Sequence, residues 1–258
     1  MIMKIKPATI LILLGCSVGM SASLFAQTTV YTETFPNSTG SAIALSTTDW
    51  QTHIGATATD RSTNTAFATG PVITNLNGVG NVAGYVVTTQ QNTALTWTEE
   101  FSPINRSQTE ISTLSFVTNN ANTTDAYRFA IRIDVAGTPR WFATDATYIQ
   151  NAAGTSNDMN TNGELKVFHF TTAGAAWREL DFTPGTTLAL SGTTLADPLP
   201  MGNLIAAGIY NDLNTNTLRW DQFEIAVIPE PGLATALLGF IMFGFTLFWT
   251  RRKGSSNN

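Results

Sequence analysis

Apolar and polar residues alternate through the middle of the chain, most regularly over Tyr127-Arg128-Phe129-Ala130-Ile131-Arg132-Ile133-Asp134-Val135. Large apolar side chains hold every second position there, and Arg128, Arg132 and Asp134 fall on the other face, the signature of a strand with one face buried. Ala136-Gly137-Thr138-Pro139 then carries turn chemistry, and Arg140-Trp141-Phe142-Ala143 begins a return strand. Similar windows predict strands at Val30–Phe35, Val82–Thr89, Ala94–Phe101, Ile111–Thr118, Leu165–Thr171, Trp177–Phe182, Leu188–Ser191, Leu204–Tyr210 and Leu218–Val227. No window between the two ends of the chain has the 3.6-residue period of an amphipathic helix. Thr57–Thr69 and Ala152–Gly163 read as loops and Asn119–Asp125 as a tight connection. Many short strands between Gly, Asn, Asp and Pro turns predict an all-β fold, an antiparallel β-sandwich.

Two apolar stretches break this pattern, one at each end. Lys4 and Lys6 precede the apolar run Ala8–Leu14 and a small-residue region ending Ser21-Ala22-Ser23-Leu24-Phe25-Ala26. This is the layout of a secretory signal peptide over residues 1–26, with Gln27 as first mature residue and a cut after Ser23 as the alternative. Leu13-Leu14-Gly15-Cys16 partly resembles a lipobox, in which Cys16 would instead carry lipid. At the other end, Leu233–Thr250 is an uncharged run of 18 residues, which as a helix spans roughly 27 Å, close to a bilayer's hydrocarbon core. Arg251, Arg252 and Lys253 follow it as a stop-transfer cluster that predicts a cytoplasmic C-terminus. Just before it, Pro229-Glu230-Pro231 holds a glutamate between two residues that fix φ and lack an N–H, so the segment is extended and unsuited to a central strand.

Pro229-Glu230-Pro231, the uncharged run and the basic cluster, in that order, resemble the PEP-CTERM sorting tail of exported Gram-negative bacterial proteins. The resemblance covers about the last thirty residues, with Ile228 where the family usually has valine. It implies an exosortase and the membrane as partners, a single-pass inner-membrane form before processing, and then a place in the cell envelope or the extracellular, exopolysaccharide-rich matrix. The expected organisation is thus a signal peptide over 1–26, a β-sandwich ectodomain over 27–226 and a sorting tail over 227–258 with one transmembrane helix. The opening strand with Glu33-Thr34-Phe35, the Trp50 segment and the closing strand Arg219-Trp220-Asp221-Gln222-Phe223-Glu224-Ile225 resemble concanavalin-like or galactose-binding-like modules. The Phe129–Val135 hairpin is similar to that of laminin-G-like sandwiches. A jelly roll is the topology these likenesses imply.

Composition narrows the chemistry. Cys16 is the only cysteine, so a chain starting at Gln27 has no disulfide, thiolate metal site or cysteine nucleophile. About 200 residues can still bury enough apolar surface to fold unaided. Outside the two ends remain eight cations and seventeen anions, a net charge of about −9, which argues against nucleic acid as a partner. Asp158-Met159-Asn160-Thr161-Asn162-Gly163 matches the start of a calcium loop, with Asp158, Asn160 and Asn162 offering side-chain oxygens and Glu164 a carbonyl. The twelfth position is His169 rather than glutamate, so a plain Asx turn is the competing reading. Asp212-x-Asn214-x-Asn216 is a weaker version without the glycine.

No catalytic constellation stands out. His53 and His169 lack metal-ligand spacing, and His169 reads as a sheet residue. Glu99 and Glu100 are adjacent in an extended segment and point to opposite faces, so they cannot flank one glycosidic bond. Of the five tryptophans between the ends, Trp141 neighbours Phe142, and Trp220 falls on the face opposite Phe223 if the strand is regular. One aromatic of each set should then face outward, and Trp141 and Trp220 are the candidate glycan-stacking residues. The expected function is a non-enzymatic, exported surface or matrix protein. The alternatives are a carbohydrate-binding module, which needs an exposed aromatic strip, and a polysaccharide-active enzyme, which needs two carboxylates within about 5–9.5 Å in a groove.

Overall fold

The computed structural model describes residues 27–35, 43–45, 48–55, 59–60, 72–74, 85–88, 93–119, 126–150, 163–212 and 218–229. The strands are β1 (Thr28–Glu33), β2 (Ile43–Ala44), β3 (Trp50–Ile54), β4 (Thr59–Asp60), β5 (Val72–Thr74), β6 (Tyr85–Thr88), β7 (Ala94–Thr98) and β8 (Ile104–Asn105). They continue as β9 (Thr109–Thr118), β10 (Tyr127–Val135), β11 (Thr138–Thr144), β12 (Glu164–His169), β13 (Trp177–Thr183), β14 (Thr187–Thr194), β15 (Asn203–Asn211) and β16 (Leu218–Pro229). The described residues are all-β, with two antiparallel sheets that fit a β-sandwich. One has seven strands, in the order β12-β9-β16-β6-β5-β2 with β1 also on β16; the other has nine, β14-β13-β11-β10-β15-β7-β3-β4 with β8 also on β15.

The period-two reading holds best where alternation was strongest. β10 spans Tyr127–Val135, as expected, and the hairpin after it closes Val135 onto Thr138. Ala136 (φ 51°) and Gly137 (φ 86°) occupy its two turn positions, the left-handed pair whose twist matches the flanking strands. The return strand therefore starts at Thr138, with Pro139 already opposite Asp134.

The main core lies between the sheets. Phe116, Phe168, Trp220, Phe223 and Ile225 of the seven-stranded sheet meet Trp50, Tyr127, Phe129, Ile131 and Phe142 of the other, all buried. Glu33 bends the chain just after β1 by accepting the N–H groups of Thr34 and Phe35, both at 2.9 Å. That bend drops Phe35 into the core against Trp50 and Trp220, with ring centroids 5.3 and 5.0 Å away. Tyr127 ties the sheets together, its hydroxyl donating to the Arg219 carbonyl at 3.0 Å and accepting the Arg219 N–H at 3.1 Å.

A bulge changes which way one predicted residue faces. Between Asp221 and Glu224 the register of β16 on β9 slips, and Gln222 takes φ 54°. The slip breaks the alternation, so Trp220 and Phe223, three positions apart, both point into the main core, and Trp220 is not an outward-facing residue. A second slip, between Ala226 and Val227, likewise lets Ile111 and Leu114 of β9 share the core face.

β16 also runs further than expected. Ile228 pairs with Glu110 and Pro229 with Thr109, three residues past the Ala226 boundary. The β1 register on the other side of β16 ends at Thr28↔Val227, so beyond that point Pro229 has a described neighbour only on the β9 side. A proline is tolerated at such an edge position. Contacts group Gln27–Glu230 as one unit.

Candidate functional site

The outer face of the nine-stranded sheet holds most of the residues that could carry chemistry. Alternation sends Trp97, Ala130, Trp141, Leu180 and Leu188 away from the main core, yet they are buried in a cluster of their own. The cause is curvature, which rolls the sheet into a half-barrel. His53 of β3 meets Phe182 of β13 at 4.9 Å between ring centroids, although β11, β10, β15 and β7 lie between those strands. Small residues line the hollow: Ala130, Ala143, Ala206 and Gly208. At Gly208 an added Cβ would sit 2.0 Å from the Thr96 carbonyl oxygen, so only glycine lets β7 come this close.

Trp141 does point to the face opposite Phe142, as expected, but that face is not solvent. Its ring stands edge-on to Trp97 at 5.6 Å and near Phe182 at 6.0 Å. Trp97 in turn stacks on His53 at 5.3 Å. Trp50 and Trp177 are buried as well, their indole N–H groups donating to the Tyr31 hydroxyl at 2.9 Å and the Thr171 carbonyl at 2.7 Å. All five of these tryptophans, Trp141 and Trp220 included, are at most 5 % exposed. The described surface thus offers no tryptophan strip on which a sugar could stack, a correction to the expected outward-facing pair.

Ion pairs rim the half-barrel. Arg132 pairs with Glu99 at 3.0 Å and lies 5.8 Å over the Trp141 ring. Arg128 bonds Asp212 at 3.2 Å and the Thr144 carbonyl at 2.8 Å, and also donates to the Asp145 carbonyl. Arg178 bonds Asp145 at 2.6 Å. Asp212, read as a weak calcium ligand, thus serves Arg128. It also adds to the burial that pushes the Tyr210 hydroxyl well above its ordinary range. Two donors inside this face, Trp97 Nε1 and Arg132 Nε, have no hydrogen-bond partner.

A cleft of about 510 Å³ crosses β11, β13 and β14 and includes Arg140, Trp141, Glu179, Asp181, Phe182 and Ser191. Alternation along those strands puts Trp141 and Phe182 on the curled face and Arg140, Glu179 and Asp181 on the other. The aromatic and polar parts of a sugar site therefore do not face each other. Glu179 accepts two bonds from Arg140, at 3.1 and 2.7 Å, and Asp181 is exposed. Neither carboxyl has the apolar enclosure that makes a general acid in glycoside hydrolysis.

The remaining predicted positions separate. Glu164 is on β12, its carboxylate 2.7 Å from Lys166 Nζ, while Asp158, Asn160 and Asn162 lie outside the described residues, as do Glu230, Pro231, Arg251, Arg252, Lys253 and Cys16. Among the described residues no cluster of three or more potential ligands could hold a metal ion, and no helix is long and apolar enough to cross a membrane. His169 is an exposed position on β12, opposite Thr113.

Sequence reasoning missed Asp221. It is 3 % exposed beside the β16 bulge, and its Oδ1 has no partner. Burial raises its pKa to about 8, the Gln222 N–H pulling the other way and the Glu33 charge adding to the rise. Nothing in the residue pattern singles out Asp221, because alternation does not show the bulge beside it. Comparison with protein-family models, curated proteins and solved structures found no match to the chain.

Proposed function

We propose that this is an exported, non-enzymatic protein of the cell surface or exopolysaccharide matrix, sorted through its C-terminal tail by an exosortase. The observation that carries this reading is the order of Pro229-Glu230-Pro231, the uncharged Leu233–Thr250 run and Arg251-Arg252-Lys253. We read that run as the single transmembrane helix and residues 1–26 as the signal peptide. The sandwich is read as jelly-roll-like, which the pairing of the first and last strands within one sheet supports. The buried tryptophans and the exposed or ion-paired carboxylates favour a structural role over a glycan-stacking module or a glycosidase.

The test is to express the full chain in an exosortase-bearing host beside Glu230→Ala and a variant with Arg251, Arg252 and Lys253 all changed to Gln. The wild-type chain should lose its tail and reach the outer surface or the medium. Glu230→Ala should accumulate, uncut, in the inner membrane. Equal processing of both, read by mass spectrometry of the C-terminal peptide, would remove the sorting reading.

A further inference from the structure

Arg106 is placed unlike four other arginines of the sandwich. Arg128, Arg132, Arg140 and Arg178 each face a carboxylate within 3.2 Å. Arg106, in the turn between β8 and β9, makes no ion pair among the described residues. It is nevertheless taken far enough from water that burial lowers its pKa. Its guanidinium is fixed on two sides: Nη1 donates to the Pro200 carbonyl at 2.7 Å, and the group lies 5.4 Å from the Phe170 ring centroid. Nη2 is buried and has no partner. An unpaired, partly desolvated cation costs stability, and such a group in a cleft is a candidate ligand site.

A cleft stands at that position. It has a volume of about 310 Å³, and Arg106, Thr109, Glu110, Phe170, Thr171 and Thr172 line it. Three threonine hydroxyls can donate or accept, and the exposed Glu110 can only accept while ionised. One fixed cation with a single anion nearby suits a ligand with one negative charge better than a dianion such as a phosphate monoester or free sulfate. The hydroxyl-rich wall suits a ligand that carries hydroxyls of its own.

We propose that the Arg106 cleft binds a small hydroxylated carboxylate, its carboxylate on the Arg106 guanidinium and its hydroxyls toward Thr109, Thr171 and Thr172. The ligand is either a free hydroxy acid or one acidic sugar unit of a polymer. This goes beyond the sorting reading and stands or falls separately from it, because it uses no residue of the tail.

The test is calorimetric titration of the full chain, kept in detergent, with D-glucuronate, D-glucose, acetate and polygalacturonate. Glucuronate should saturate while glucose and acetate fail to bind. Uptake of the monomer alone supports the proposal with a free acid as ligand, and uptake of the polymer, with or without the monomer, supports it with a polymer unit. Arg106→Gln should weaken binding about tenfold or more. Arg106→Lys keeps the charge without the planar fork and should fall between. Glu110→Gln removes a like charge at the rim and should tighten binding a few-fold, a readout that loss of folding cannot imitate. The proposal is overturned if neither monomer nor polymer binds the wild-type chain, if acetate or glucose binds measurably and as tightly as glucuronate, or if a folded Arg106→Gln binds as well as the wild type.

Discussion

The protein has two apolar clusters, built in different ways. The main core is held between two sheets, and its polar atoms are largely answered: Trp50 Nε1 by Tyr31, Trp177 Nε1 by Thr171, and the Tyr127 hydroxyl by Arg219 of the opposite sheet. The half-barrel cluster is enclosed by a single sheet curling on itself, depends on Ala and Gly positions for its radius, and leaves Trp97 Nε1 and Arg132 Nε unanswered. Two sheets can shift until donors meet acceptors. A sheet that closes on itself has its curvature fixed by strand pairing, so its interior takes the partners that curvature supplies. The main core should therefore be the costlier to damage per side chain, and the half-barrel the more sensitive to backbone spacing.

The hardest break is Trp50→Ala. It removes a ring packed against Phe35, Trp220 and Phe223 and should cost about 4 kcal/mol in chemical denaturation. Next is a polar defect beside the main core. The Asp221 carboxyl has a pKa of about 8 in the folded chain, far above its ordinary value, so the fold favours its protonated form. That stabilisation is complete below about pH 4 and is lost as pH rises toward 8, at about 1.4 kcal/mol per pH unit across that window. Asp221→Asn should flatten the pH dependence across that window and leave the chain more stable than wild type at pH 8. A variant whose stability still falls between pH 4 and 8 would assign the titration to another group.

Gly208→Ala probes the half-barrel's radius. Its methyl would overlap the Thr96 carbonyl, and the expected loss is about 2 kcal/mol by thermal unfolding. The smallest and sharpest contrast is a matched pair. Trp50→Phe breaks the indole N–H bond to the Tyr31 hydroxyl, which keeps Thr98 as a partner, and should cost about 1 kcal/mol beyond the lost ring area. Trp97→Phe deletes a donor that has no acceptor, so that extra cost should be near zero. Equal polar costs in the two variants would erase the distinction between the clusters.

Much of the sandwich was legible because alternation is a direct record of burial on one face. Tyr127–Val135 shows it plainly: its even and odd positions divide between the two clusters. β3 gave no such signal, since four of the five residues Trp50–Ile54 are buried, and strands of two or three residues such as β4 and β8 are too short to have a period. The site-bearing positions failed for two local reasons. Trp220 was misplaced by a bulge one residue long, set by a positive φ at Gln222 that no residue type announces. Trp141 was assigned the correct face, but pattern alone does not say whether a face meets solvent or the far side of its own curled sheet. Arg106 was invisible for the opposite reason, because a cation's lack of a partner is a property of space rather than of spacing.

The register of the last strand has a mechanical consequence. β16 is hydrogen-bonded to β9 from Trp220 to Pro229 and to β1 from Phe223 to Val227. A load drawn along the strand at Pro229, against the body of the domain, would fall on both ladders in shear, so many bonds must yield together. A load that instead drew Thr28 and Val227 apart would open the β1 ladder one pair at a time. The same chain end is thus strong against being pulled lengthwise and weak against being peeled, and the direction of tension decides which the domain feels.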